Sequence, residues 1–378
     1  MAKKYNSKRN DATLGSILKS DFDFHKKIVQ RYANTQYDWK TTYSTKSIQE
    51  MNADLLRYAF EGNKKRVKVA LLNGADINAR DSFGNNALML AVYAGKPEVV
   101  KFLLTWHLSN KGEILEDIEA INKNALNKDL LSCLHLGVHL NNEHVVQMLL
   151  DYGVNANIVG QYNETPIFTA VKANNFNMVE LLCTYNLENK ALVNFKNREG
   201  FTPLIVAAQN RARQESLLKL LECGAYIYAA DNNGRTAFMH AANNNCSVMM
   251  DIFLKRAKDF NKLVNHQDNE GINALMVLAK RGNREAVRVL VARGANIFLK
   301  DNMGRDALDY AKLAAADGRK TKTCIEILEK AKRIYAEVDA QFAELDKTKS
   351  NQELKNKVLL NRLSEFATHN RVPNSCVK

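Results

Sequence analysis

The sequence predicts an all-α protein, a solenoid of about eight helix-turn-helix units followed by a C-terminal helical extension. Three observations lead there. Similar segments recur about every 33 residues. Within each segment, apolar residues return at helical spacing and not at the two-residue alternation of strands. Between those runs, Gly, Asp and Asn stand at fixed offsets, where tight turns need them.

The units begin near Ile48, Asp81, Asn127, Gly160, Asn197, Asp231, Asp268 and Asp301, and the array is read as 48–331. Ile48–Arg80 carries only a second half, Gly74-Ala75-Asp76-Ile77-Asn78, which suits an N-terminal cap with no neighbour on its outer side. The next unit runs Asp81-Ser-Phe-Gly84, then Ala91-Val92, Gly95 and Val99-Val100-Lys-Phe-Leu103-Leu104. The same order returns in Asn197-Arg-Glu-Gly200-Phe-Thr202-Pro203-Leu204 and in Asp231-Asn-Asn-Gly234-Arg-Thr236. The last unit, Asp301-Asn-Met-Gly304 onward, passes through the Lys-rich joint 317–322 into Ile325–Ala331.

Each position has a physical job. Ser132, Thr165, Thr202 and Thr236 are placed to accept a bond from an orphan N–H of the first helix. Pro166 and Pro203 sit where a missing N–H does no harm. Ala207-Ala208 and Ala241-Ala242 keep the first helix thin. Val99-Val100, Val145-Val146, Leu103-Leu104 and Leu149-Leu150 form the buried stripe of the second helix. Gly74, Gly153, Gly224 and Gly294 end that helix in a left-handed residue.

Three spacings are longer. Asp81 to Asn127 leaves 13 extra residues within an insertion at 105–124, whose Trp106–Ile121 stretch is acidic and amphipathic and reads as an extra helix. Four extra residues fall near Asn189 and four near Phe260. Residues 1–47 form an N-terminal extension with an aromatic cluster (Phe22, Phe24, Tyr32, Tyr37, Trp39, Tyr43), read as a cover over the first repeat or as a recognition arm. Residues 332–378 form the C-terminal extension. Leu328, Ala331, Tyr335, Val338, Phe342 and Leu345 follow a 3-4 spacing for fewer than three heptads, so a homodimer through this helix is considered but not favoured. Ser350-Asn-Gln-Glu353 reads as a capping box opening a further helix.

Composition sets limits. The chain has 378 residues, 46% of them hydrophobic, enough for a sizeable core. Its six cysteines are scattered without a C-x-x-C pair, which points to free thiols in a reducing compartment. No apolar run follows the charged start Met1–Arg9, and none is long enough for a membrane span. The expected location is cytoplasmic, or a host cell entered without a classical signal peptide. The net charge is +13, but residues 1–50 and 318–378 carry +5 each, leaving +3 for the centre. Because the excess sits in the tails, nucleic acid is not the expected partner.

The order of turn, Thr-Pro-Leu-His-like helix start, Ala-Ala, Gly, Val-Val-x-Leu-Leu and Gly-Ala-Asp-x-Asn resembles the ankyrin repeat. That resemblance implies a non-catalytic scaffold or adaptor that binds a protein on a concave face of turn tips and first helices. The candidate residues on that face are Phe83, Tyr93, Tyr162, Lys172, Arg198, Phe201, Arg235, Lys280, Arg281, Lys300 and Arg305. Aromatic and Arg side chains dominate interface energetics, and the basic ones cluster in the second half, which suits a partner with an acidic segment. Two other readings stay open, a secreted bacterial effector that targets a host protein and an enzyme with an unrecognised catalytic segment in the tails.

No phosphate-cradling loop, H-E-x-x-H or G-x-S-x-G is present, so no catalytic residue, cofactor or metal is expected. Cys133, His135 and His139 lie close in sequence and invite a zinc reading. His135 and His240 are instead expected to fill the structural histidine slot of the repeat, and no fourth ligand is evident.

Overall fold

The computed structural model describes residues 46–107, 119–185, 191–343 and 349–368. Outside them lie the aromatic cluster between Phe22 and Tyr43, the acidic stretch 108–118, Leu345 and residues 369–378. Among the described residues the regular secondary structure is all helical, apart from the isolated bridges Ala230–Thr236 and Gln267–Asn273. No described helix is long and apolar enough to cross a membrane.

The chain divides into two compact units after Val154. The first holds three helix pairs: α1 (Ile48–Glu61) with α2 (Lys64–Leu72), α3 (Ala87–Tyr93) with α4 (Pro97–Thr105), and α5 (Cys133–His139) with α6 (Glu143–Asp151). First helices pack on first helices, α1 on α3 and α3 on α5, and second helices pack likewise. Leu88, Leu90, Val99, Leu103, Val145 and Leu149 are all buried between them. The 14-residue α1 replaces the missing first half of the Ile48 repeat, and Ser47 and Glu50 close it with a reciprocal capping box.

The second unit repeats the pairing with α7 (Pro166–Lys172) and α8 (Phe176–Tyr185), then α10 (Pro203–Gln209) and α11 (Gln214–Glu222). It continues with α12 (Ala237–Asn243) and α13 (Ser247–Arg256), α15 (Ala274–Arg281) and α16 (Arg284–Ala292), and α17 (Ala307–Ala316) and α18 (Lys322–Gln341). Two short helices are additional, α9 (Ala191–Asn194) and α14 (Phe260–Val264). They account for the two four-residue excesses: Val193, Leu263 and Val264 are buried at the point where other repeats bury the pairs Ala225/Ile227 and Ala295/Ile297.

Ser132, Thr202 and Thr236 cap their helices as expected, each accepting from the third helical N–H. Thr165 does not. Its backbone has the extended shape of a cap, but the buried hydroxyl makes no hydrogen bond, and the Phe168 N–H meets the Thr165 carbonyl at 2.9 Å. Gly74, Gly153, Gly224 and Gly294 all adopt positive φ.

The boundary expected after Ala331 falls inside α18, which runs unbroken to Gln341. Ser350 likewise lies within the last helix, α19 (Lys349–Thr368), and is not its N-cap. That helix packs on α16 and α18, with Leu363 fully buried and ion pairs Lys355–Asp339 (2.8 Å) and Arg362–Glu337 (3.4 Å) along its edge. Leu328, Ala331 and Val338 of the stripe considered for dimerisation are thus buried within the chain itself.

Candidate protein-interaction surface

The turns are built by the residue that opens each repeat. The Asp81, Asn127, Asn197, Asp231, Asp268 and Asp301 side chains each accept two backbone N–H bonds, from the residues two and four positions on, at 2.8–3.0 Å. This is why only Asp and Asn stand there: a short acceptor must reach the chain's own turn. Gly160 cannot do so, although its N–H still meets the Glu164 carbonyl at 2.7 Å.

Successive turns are then tied together. In the second unit, the N–H groups of Arg198, Asn232, Asn269 and Asn302 bond the carbonyls of Tyr162, Glu199, Asn233 and Glu270 at 3.0–3.1 Å. The side-chain amides of Asn232, Asn269 and Asn302 donate to the carbonyls of Arg198, Asn232 and Asn269 at 2.9–3.0 Å. These asparagines therefore brace the turns. The approach is so close that a Cβ on Gly234 would come within 2.6 Å of Asn269 Oδ1, at a φ of +78°.

The candidate residues separate into two groups. Several are engaged within the chain. Arg235 Nε bonds Asp268 Oδ2 of the next repeat at 3.1 Å, and Arg305 meets Asp301 Oδ2 at 2.6 Å. Lys172 pairs with Glu164 at 2.6 Å. Phe201 meets the His240 ring edge-on at 5.6 Å. Tyr93 is half-buried. It stacks on Phe60 at 6.5 Å, and burial pushes its hydroxyl up to about 12. Phe83 is half-buried, and its carbonyl accepts the Lys128 N–H.

The others are displayed. Tyr162, Arg198, Lys280, Arg281 and Lys300 are exposed and make no ion pair among the described residues. Tyr162 holds a left-handed backbone, φ +57°, and turns a large aromatic side chain to solvent. Met303, at the tip of the last turn, is 77% exposed. Arg211 and Arg319, which sequence reasoning passed over, lie close enough to Arg281 to act on its charge. Partial burial and then Arg319 and Arg211 hold the Arg281 guanidinium below its ordinary range.

The two histidines do not share a slot. His135 stands three residues after Ser132, is buried, and binds the Ser132 hydroxyl through Nδ1 at 2.9 Å. His240 stands four residues after Thr236 and reaches Asp231 Oδ2 at 2.9 Å. Burial works to raise the Asp231 carboxyl, but the bonds from His240, Arg235 and Asn233 outweigh it and hold it low. Cys133 is buried with its thiol donating to the Lys123 carbonyl at 3.1 Å, and burial pushes it up to about 12. His139 is exposed at the end of α5. The bonds of His135, His240 and Cys133 are thus all made within the chain, and among the described residues no group of three or more Cys, His, Asp and Glu is arranged to hold a metal.

Comparison with known proteins agrees with this geometry. A family model described as ankyrin repeats matches three times, over residues 55–159, 134–231 and 213–301. The mouse (Mus musculus) B-cell lymphoma 3 protein homolog is 32% identical over 169 residues, 44% of this chain and 37% of that protein. Mouse Rabankyrin-5 is 30% identical over 43% of this chain and 14% of its own length, so the chain spans well under half of either relative. The putative ankyrin repeat protein YahD of Escherichia coli is 28% identical over half of this chain and 89% of its own. Among solved structures, the ankyrin repeat domain of Bcl-3 superposes with a TM-score of 0.55 at 27% identity, covering 65% of this chain and 99% of that one.

Proposed function

Because the chain belongs to the ankyrin-repeat family, we propose that it is a non-catalytic scaffold or adaptor that holds a partner protein on the face formed by its turns and first helices. Ankyrin repeats are in general protein-interaction modules. The observation that carries the finer reading is the bracing of the turns in the second unit. Four backbone bonds and three asparagine bonds fix their tips, while Tyr162, Arg198, Lys300 and Met303 stand outward from them. Side chains on a rigid frame lose little freedom on binding, which favours affinity without any movement of the scaffold. An exposed aromatic beside exposed cations fits a partner with an apolar anchor and acidic residues near it.

The test is site-specific photo-crosslinking in lysate of the native organism. A photoreactive residue at Arg198 or Met303 should trap a protein that the same residue at Lys258, beyond the second helix α13, does not. Crosslinks at Lys258 alone would place the binding surface elsewhere and overturn the reading.

A further inference from the structure

In the second unit, the last residues of the first helices and the loops that lead on to the second helices are rich in cations. In four successive repeats they read Gln209-Asn-Arg211-Ala-Arg213, Asn243-Asn-Asn-Cys246, Lys280-Arg281-Gly-Asn283 and Asp317-Gly-Arg319-Lys320. They contain six cations against the single carboxylate of Asp317. All six cations are exposed, and none forms an ion pair among the described residues. The carboxylate of Glu285, just beyond the third loop, is occupied by Arg284 and Arg288.

These side chains do not wave in solvent. Arg211 donates to the Asn244 carbonyl of the next loop at 2.7 Å, and Arg281 reaches back to Asn243 Oδ1 at 2.8 Å. Arg319 lies 3.5 Å from the Lys280 carbonyl, and Asn283 bonds Asn245 across the same line. The guanidinium groups of Arg211, Arg281 and Arg319 are therefore each clipped by one edge to a neutral oxygen of a neighbouring repeat. A guanidinium has five N–H donors, so most of them remain for an outside acceptor. Gathering like charges beside one another costs free energy that a bound anion would relieve.

From this geometry we propose that the loop ridge Arg211–Arg281–Arg319 is the docking site for an acidic, extended segment of the partner protein. The proposal rests on the protein-binding reading above and adds the chemistry of the partner. Four loops on helices packed about 8–10 Å apart span roughly 30 Å, the reach of about nine extended residues. The ridge alternates cations with asparagines, which suits carboxylates and main-chain groups of a peptide. It carries no aromatic residue on which bases could stack, as single-stranded nucleic-acid sites do. The chain's own tails are each +5 and supply no such anion.

Fluorescence polarisation with the full chain tests this. The probe is a labelled 12-residue peptide of alternating Glu and Gly, compared with labelled single-stranded oligothymidylate of equal charge. The peptide should bind, and Arg281→Gln and Arg319→Gln should each weaken it about five- to tenfold, as loss of a charge-assisted contact does. Lys258→Gln, which makes the same charge change off the ridge, should leave binding within about twofold. Circular dichroism melting of each variant separates lost binding from lost fold. Equal losses in Lys258→Gln would reduce the effect to net charge and overturn the proposal. So would oligothymidylate binding more tightly with the same Arg dependence, or equal ridge binding by a peptide of the chain's own residues 112–120. Absence of peptide binding together with crosslinking at Arg198 would overturn the ridge alone and leave the protein-binding reading standing.

Discussion

Tyr310 donates its hydroxyl to Oδ2 of Asp301 at 2.8 Å, in the place that His240 takes against Asp231 two repeats earlier at 2.9 Å. The acceptor that builds the turn also anchors the first helix of its own repeat. In the last repeat Arg305 joins them, bonding Asp301 Oδ2 and lying 4.9 Å from the Tyr310 ring. Burial would raise the Asp301 carboxyl. The Arg305 and Tyr310 bonds outweigh it and bring the group down to about 2.

That depression sets a pH window. A carboxyl held below its ordinary value contributes its stabilisation above that value and loses it as pH falls through the folded one. The chain should therefore lose stability between about pH 4 and pH 2. Asp301→Asn should flatten part of this slope while keeping the turn, because Asn127 and Asn197 accept the same pair of N–H bonds. Tyr310→Phe should cost about 1 kcal/mol at neutral pH. Melting temperature measured against pH for the three proteins checks both statements, and an unchanged acid slope in Asp301→Asn would contradict the assignment.

The glycines of the turns are not equivalent. Gly234 and Gly304 have the same φ of +78°, but a Cβ on Gly234 would strike Asn269 while one on Gly304 meets nothing within 4 Å. Gly304→Ala should carry only the left-handed strain, about 1 kcal/mol. Gly234→Ala should cost roughly twice that, because the Asn269 brace must also move. Denaturant midpoints of the two variants give the comparison, and equal losses would show that the brace yields freely.

The repeat framework was legible because its marks are local: a turn acceptor, a left-handed glycine and two apolar stripes can each be read within a dozen residues. What the sequence hid are relations across one period. Arg235 looks like a free tip cation until its partner Asp268 is sought 33 residues on, and Glu164 finds Asn197 at the same separation. The period itself could have exposed both pairs. The Tyr93–Phe60 stacking was hidden for a different reason, since Phe60 belongs to the long atypical helix that replaces the missing half-repeat. The four-residue excesses were visible, but their outcome as short helices depended on Val193, Leu263 and Val264 refilling the buried positions. The Arg281 neighbourhood could not be read locally, because Arg211 and Arg319 lie two repeats before and one after it.

The C-terminal helix is part of the second unit's packing, and removing it should be felt. Leu363 is fully buried, and a Cβ on Gly294 would meet Leu360 at 2.7 Å. Leu363→Ala should destabilise the end of the array by about 2 kcal/mol or more. Deleting 349–378 should lower the melting temperature and expose the faces of α16 and α18 that α19 covers, with the remaining repeats still helical. Hydrogen exchange reads the location of the change: faster exchange confined to 284–341 is expected, and exchange unchanged there would mean that α19 contributes little.

The turn of the Asn127 repeat carries a strained residue where five other turns have glycine. Leu130 holds φ +58° at the slot of Gly84, Gly200, Gly234, Gly271 and Gly304, and its N–H still closes the turn on the Asn127 carbonyl at 3.0 Å. The left-handed conformation costs an ordinary L-residue about 1–2 kcal/mol. With 43% of Leu130 exposed, burial of the side chain returns only part of that. Glycine removes the strain but adds about 0.5–1 kcal/mol of chain entropy to the unfolded state. These terms nearly cancel, so Leu130→Gly should change stability by no more than about 0.5 kcal/mol despite the loss of the side chain. Leu130→Asn should do similarly, since Asn163 occupies the matching slot of the Gly160 repeat at φ +61°. Denaturant unfolding measures both. A larger loss of stability in both variants would mean that the exposed leucine makes contacts worth more than the strain it carries.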